Sequence, residues 1–174
     1  GTINAMLLCH EGYYCPEGTS FINKPDNNSS SNYAYADGEA DDFFRTFNLA
    51  TPCPTGSYCP TGSMEPLACL PGTFQNITGN ETCKTCPAGF YCELETTTPV
   101  ICPPGSFCLD GTRYYNEFLC PNGTYSNSEG LEDEASCTSC TPGYYCGSPG
   151  LTAPTGECRE GYFCRGGSQL ETPF

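Results

Sequence analysis

Apolar residues do not recur along this chain with a sustained helical or strand period. They come in short bursts, one or two aromatics set directly before a cysteine and bounded by Pro, Gly, Ser and Thr. The bursts read "GYYC" at 12–15, "GSYC" at 56–59, "GFYC" at 89–92, "GSFC" at 105–108, "GYYC" at 143–146 and "GYFC" at 161–164. Segments this brief, punctuated by turn formers, predict tiny hairpins. One stretch departs from the pattern. "DGEADDFFRTFNLATP" has an acidic start, Phe43, Phe44 and Phe47 at helical spacing, and a proline stop. That spacing predicts a single short helix near 39–49.

Aligning on cysteine turns the bursts into a repeat. Six short units follow C-x-x-G-[YSF]-[YF]-C, starting at Cys9, Cys53, Cys86, Cys102, Cys140 and Cys158. Two longer units, "CLPGTF" from Cys69 and "CPNGTY" from Cys120, lack the second cysteine there and run on to C-x-x-C pairs at Cys83/Cys86 and Cys137/Cys140. Glycine holds the fourth position throughout, often with proline one or two places earlier. That pairing predicts a type II-like reversal within each unit, making it a hairpin with one aromatic and one bridge for a core. No copy can bury much surface alone, so stacked neighbours must share the burial.

Two pairing schemes fit the sixteen cysteines. In the local one, each unit closes on itself: Cys9–Cys15, Cys53–Cys59, Cys69–Cys83, Cys86–Cys92, Cys102–Cys108, Cys120–Cys137, Cys140–Cys146 and Cys158–Cys164. In the rival one, each second cysteine joins the next unit, as Cys15–Cys53, Cys59–Cys69, Cys92–Cys102, Cys108–Cys120 and Cys146–Cys158. The rival leaves Cys9 and Cys164 over and forces C-x-x-C bridges. Spacing alone leaves both open.

Composition explains why crosslinks are needed. Leu, Ile, Val and Phe supply 26 of 174 residues, with one valine and no tryptophan. So little aliphatic surface does not offset about 1–2 kcal/mol of backbone ordering per residue. The cysteine density marks a disulfide scaffold made in an oxidising compartment, hence secreted or on the cell surface. Sequons at Asn27, Asn28, Asn76, Asn80 and Asn122 agree with that reading and predict N-linked glycans. The net charge of −14 and only six Lys and Arg exclude a phosphate-binding surface, so no nucleic-acid partner is expected. No apolar run reaches the length of a membrane span. "GT" at the start matches the C-x-x-G-[TS] sequence that follows short units, and "CRGGSQLETPF" stops where another cysteine would be due. Both ends are those expected of a slice of a longer repetitive chain. The expected divisions are 1–17, a partial repeat and the first unit; 18–52, a cysteine-free insertion; super-repeats at 53–101 and 102–157; and 158–174, the start of a further repeat. Within the insertion, "NKPDNNSSSN" reads as a glycosylated loop.

Candidate chemistry is sparse. The C-x-x-C pairs lie too far apart for an ordinary zinc site and continue into the repeat. His10 is the only histidine, so no Ser or Cys triad can be assembled. No catalytic residue, metal ligand or cofactor is therefore assigned, and the chain is not expected to be an enzyme. Carboxylates at 36–42 and 129–134 match no EF-hand spacing and allow at most weak calcium binding. Phe43, Phe44 and Phe47 either cover neighbouring hairpins or form a contact between subunits.

The units "CPTGSYCPTGS", "CPAGFYC" and "CLPGTFQNITGNETCKTCPAGFYC" resemble the ephrin-receptor-like and EGF-like cysteine-rich repeats of large extracellular proteins of protists and algae. Among proteins with long runs of such repeats, the style is similar to the mastigoneme glycoproteins of flagellar hairs. The fold expected is small and disulfide-rich, an elongated tandem array of short β-hairpin modules with little regular secondary structure. The function expected is structural, a disulfide-stapled rigid rod in an extracellular filament or surface appendage, whose partners are copies of itself or related repeat proteins. The alternative is a ligand-binding or adhesive receptor ectodomain in which the repeats are spacers.

Overall fold

The computed structural model describes residues 9–16 and 50–173. The expected helix near 39–49, with Phe43, Phe44 and Phe47, lies outside them. Among the described residues, regular structure is confined to two-residue strands in antiparallel pairs and one 3-10 turn at Glu134–Ser136. The fold is thus a set of small disulfide-rich hairpin modules. The chain forms two compact units, Gly1–Cys69 with Gln75–Cys83, and Leu70–Phe74 with Lys84–Phe174.

All sixteen cysteines are paired, and the pairing is the local one. We number the resulting rings 1 to 8 in chain order. Each bridge joins Cα atoms 5.7–6.0 Å apart, an ordinary disulfide separation. Most half-cystines are fully buried and, with Phe107 and Leu131, they make up the buried apolar set among the described residues. Sulfur here takes the place that aliphatic side chains hold in larger cores.

Every ring opens on a four-residue turn closed by a backbone bond, such as Ser57 N–H to the Pro54 carbonyl in ring 2 and Tyr144 N–H to the Thr141 carbonyl in ring 7. The glycine is third in the turn, with φ between 78° and 89°, as a type II reversal requires. Proline takes the second corner only at Pro71, Pro104 and Pro142. At Pro54, Pro87 and Pro121 it stands one residue earlier, and the turns of rings 1 and 8 hold none. A second turn of the same kind follows several short rings. In "CPTGS", "CLDGT" and "CRGGS", Gly62, Gly111 and Gly167 have positive φ, and the Ser63, Thr112 and Ser168 hydroxyls each donate to the carbonyl three residues back.

The hairpins differ from those expected. A ring six residues apart holds a turn but has no room for a ladder. The strand leaving the turn pairs instead with the residues just before the next ring. Ser57–Tyr58 pairs with Leu67–Ala68, Phe90–Tyr91 with Val100–Ile101, Thr124–Tyr125 with Thr138–Ser139, and Tyr144–Tyr145 with Gly156–Glu157. The strands therefore tie each ring to its successor. Tyr13–Tyr14 and Thr51–Pro52 make the same pair in the first unit, so the cysteine-free insertion leaves and re-enters at one hairpin.

Candidate assembly interface

The residues with the most consistent geometry are the ones that join rings. Four backbone hydrogen bonds carry each complete junction. At rings 1 and 2, Cys53 N–H donates to the Gly12 carbonyl (2.9 Å) and Gly12 N–H donates to the Cys59 carbonyl (2.7 Å). Gly62 N–H donates to the Cys9 carbonyl (2.7 Å), and Cys15 N–H donates to the Ser63 carbonyl (2.9 Å). In the second unit the set recurs at rings 4 and 5, through Cys102 to Gly89, Gly89 to Cys108, Gly111 to Cys86 and Cys92 to Thr112. Rings 7 and 8 repeat it through Cys158 to Gly143, Gly143 to Cys164, Gly167 to Cys140 and Cys146 to Ser168. Because only backbone groups of the four cysteines and two turns take part, any sequence with this cysteine and glycine spacing can form the junction.

The long rings keep the backbone of the junction while moving the bridge. Where a short ring has its second cysteine, ring 3 has Gln75 and ring 6 has Ser126, both buried. Their carbonyls accept from Gly56 and Gly105, as the cysteine carbonyls do elsewhere. Their side chains then organise the longer loop. The Gln75 amide donates to the Thr82 carbonyl (2.7 Å) and accepts from Ile77 N–H (3.2 Å). The Ser126 hydroxyl accepts from Ser128 N–H (3.1 Å). Sequence reasoning passed over both residues. The signal was the polar residue at position seven of "CLPGTFQ" and "CPNGTYS".

Glycine is also required between rings two apart. A methyl on Gly89 would meet the Gly130 carbonyl oxygen at 2.8 Å, and one on Gly72 the Gly111 oxygen at 2.5 Å. Gly12 against Gly79 in the first unit, and Gly105 against Gly150 in the second, pack the same way. Aromatics fill what remains. Phe107 stacks on Phe118 (centroids 5.5 Å apart), Tyr91 meets Tyr115 edge-on at 6.0 Å, and Lys84 sits 5.9 Å from the Phe74 ring centroid. The aromatic of a ring thus packs on a following connection, as the sharing of burial between neighbours requires.

The remaining sequence candidates fall on the surface. Asn76 and Asn122 are exposed, the latter at a turn corner, while Asn80 is half-buried and its amide donates to the Ile77 carbonyl (3.0 Å). Asn27 and Asn28 lie outside the described residues, as do the carboxylates at 36–42. In the cluster at 129–134, the Asp133 carboxylate accepts from Ser136 N–H and its hydroxyl, both at 2.8 Å, and so caps the 3-10 turn. His10 Nδ1 lies 2.9 Å from the neighbouring Glu11 carbonyl. Among the described residues, no group of three or more His, Cys, Asp or Glu could hold a metal ion, and no helix is long and apolar enough to cross a membrane. Comparison with family models and with curated proteins gave no match.

Proposed function

We propose that this chain is a subunit or segment of an extracellular filament or cell-surface appendage, a structural glycoprotein that associates with copies of itself or with related repeat proteins. The observation that carries the reading is the ring junction. Its two sides are complementary and built from backbone, so one ring face can receive the next without a specialised side-chain lock. Eight disulfides suit a protein matured in an oxidising compartment and exposed to proteases outside the cell. Faces that join head to tail without closing generate filaments. N-linked glycans at the exposed Asn76 and Asn122 would keep the outer surface hydrated. The cysteine and glycine spacing, shared in style with ephrin-receptor-like, EGF-like and mastigoneme repeats, fits this role.

Electron microscopy of the purified, glycosylated protein tests the proposal. Polymers containing this chain as their repeating part are the expected result. Discrete monomers at all concentrations would favour the receptor-ectodomain alternative. A second experiment replaces residues 17–49 with a linker of the length found between rings 2 and 3. The Tyr13–Tyr14 and Thr51–Pro52 pair bounds that segment, so folding is expected to survive. Loss of polymers with retained folding assigns the subunit contact to the segment containing Phe43, Phe44 and Phe47; unchanged polymers exclude it.

A further inference from the structure

Many hydroxyls in the turns of this chain are already engaged. Ser63, Thr73, Thr96, Thr112, Thr124 and Ser168 each donate to the carbonyl three residues back. Thr97 and Thr98 do not. Both are exposed, and among the described residues neither has a hydrogen-bond partner. They lie in the connection 93–99 between rings 4 and 5, which lacks the backbone ties of its counterparts. After rings 2, 5 and 7, Gly62, Gly111 and Gly150 donate their N–H to the first cysteine of the preceding ring. The Ser63, Thr112 and Leu151 carbonyls beside them accept from Cys15, Cys92 and Ser126. After ring 4, Glu95 stands where Gly62 and Gly111 stand, and among the described residues no backbone hydrogen bond ties 93–99 to another ring. Pro99 closes the segment and disfavours helical backbone at Thr98. The Phe90–Tyr91 and Val100–Ile101 pair bounds it on both sides. Two free hydroxyls are thus displayed on an exposed peptide that an enzyme can seat without opening a ring.

We infer that Thr97 and Thr98 are acceptors of O-linked sugar, added to the folded, disulfide-closed chain from a phosphate-activated glycosyl donor. In the transfer, the threonine Oγ1 bonds to the anomeric carbon of the sugar and the bond from that carbon to the carrier phosphate breaks. The phosphate leaves with its electron pair, and the hydroxyl proton is given up to base. Threonine clustered beside proline is the composition of O-glycosylated extracellular segments. Sugar here shields the exposed Leu94 and the untied peptide around it from proteases, a need that the tied connections do not share. The inference rests on the extracellular part of the proposed function and not on self-association.

The test is mass spectrometry of the protein isolated from the cells that make it, after reduction, alkylation, enzymatic removal of N-linked glycans and digestion with trypsin. Cleavage after Lys84 and Arg113 releases residues 85–113, which carry Thr96 and Thr112 as internal comparisons. Electron-transfer fragmentation is expected to place hexose or N-acetylhexosamine increments on Thr97, Thr98 or both, and none on Thr96 or Thr112, whose hydroxyls are engaged. Thr97→Ala/Thr98→Ala is expected to lose the increments and keep the denaturant midpoint, since neither side chain has a partner to lose. It is also expected to be cut faster after Leu94 by chymotrypsin. A bare 85–113 peptide, or sugar on Thr96 or Thr112 instead, would overturn the site. If Asn76 or Asn122 is then found glycosylated in the same sample, the extracellular reading stands without it; bare sequons together with free thiols would remove both. Equal cleavage after Leu94 in the two forms would overturn the shielding role.

Discussion

At the level of single residues, positive φ and close approach are separable effects, and the repeat allows them to be measured apart. Gly89 and Gly161 have nearly equal φ, 79° and 85°, but only Gly89 faces a carbonyl two rings on. Left-handed backbone costs a side chain about 1–2 kcal/mol. Gly161→Ala is expected to lose about that much and Gly89→Ala at least about 1 kcal/mol more, read from denaturant midpoints without reductant. Glu95 presents the converse case. It stands third after Cys92, where Gly62, Gly111 and Gly167 stand after their cysteines, and adopts φ 59°. Glu95→Gly should stabilise the protein by about 0.5–1 kcal/mol, the relief of strain outweighing the added freedom of the unfolded chain. Gln75 is 1 % exposed and satisfied on both sides of its amide. Gln75→Ala strands the Thr82 carbonyl and the Ile77 N–H and is expected to cost about 1–3 kcal/mol, with faster exchange of the Ile77 amide.

At the level of elements, the unit of structure is a ring plus the two-residue ladder leading to the next ring. Removing one bridge as Cys69→Ala/Cys83→Ala frees a loop of sequence separation 14, which the chain-entropy model values at about 3 kcal/mol. Chemical denaturation of that variant beside the wild type gives the figure. The connection before ring 6 carries a local electrostatic element. Glu117 bonds the Arg113 guanidinium at 2.7 Å and accepts from its N–H at 2.9 Å. The Arg113 side-chain hydrogen bond, with the backbone bond and charge attraction, holds the Glu117 carboxyl below the usual carboxylate range. A folded-state value below the unfolded one means the contribution is complete above the ordinary carboxylate range and lost as pH falls through the lowered value. Both groups are near the surface, so the effect is small. Acid titration of wild type against Glu117→Gln should show the extra pH dependence only in the wild type.

At the level of the whole molecule, stability in a repeat comes from bridges and nearest-neighbour junctions rather than from one interior. The largest apolar cluster among the described residues is small, Phe107 with Cys120, Leu131 and Cys137, with Phe118 against it. Reduction is therefore expected to abolish cooperative unfolding altogether, and intact-mass analysis with and without alkylation should find no free thiol before reduction. Much of this was legible in the chain. The cysteine period showed the rings, the glycine at position four showed the turn, and the absence of leftover cysteines made local closure coherent. The ladder was misplaced inside the ring because spacing reports which residues recur, not which recurrences pair. Gln75 and Ser126 were missed because they conserve the backbone role of a cysteine without its sulfur.

Composition and periodicity by themselves determined that crosslinks replace an aliphatic core and that each module is a turn closed by sulfur. These follow from local chemistry, since a seven-residue ring and a glycine corner depend on no distant group. Only the tertiary structure decided how modules join. It placed the ladders between rings and set glycine against the carbonyl two rings on. Those outcomes depend on backbone groups that every residue carries alike, so no side-chain pattern could announce them.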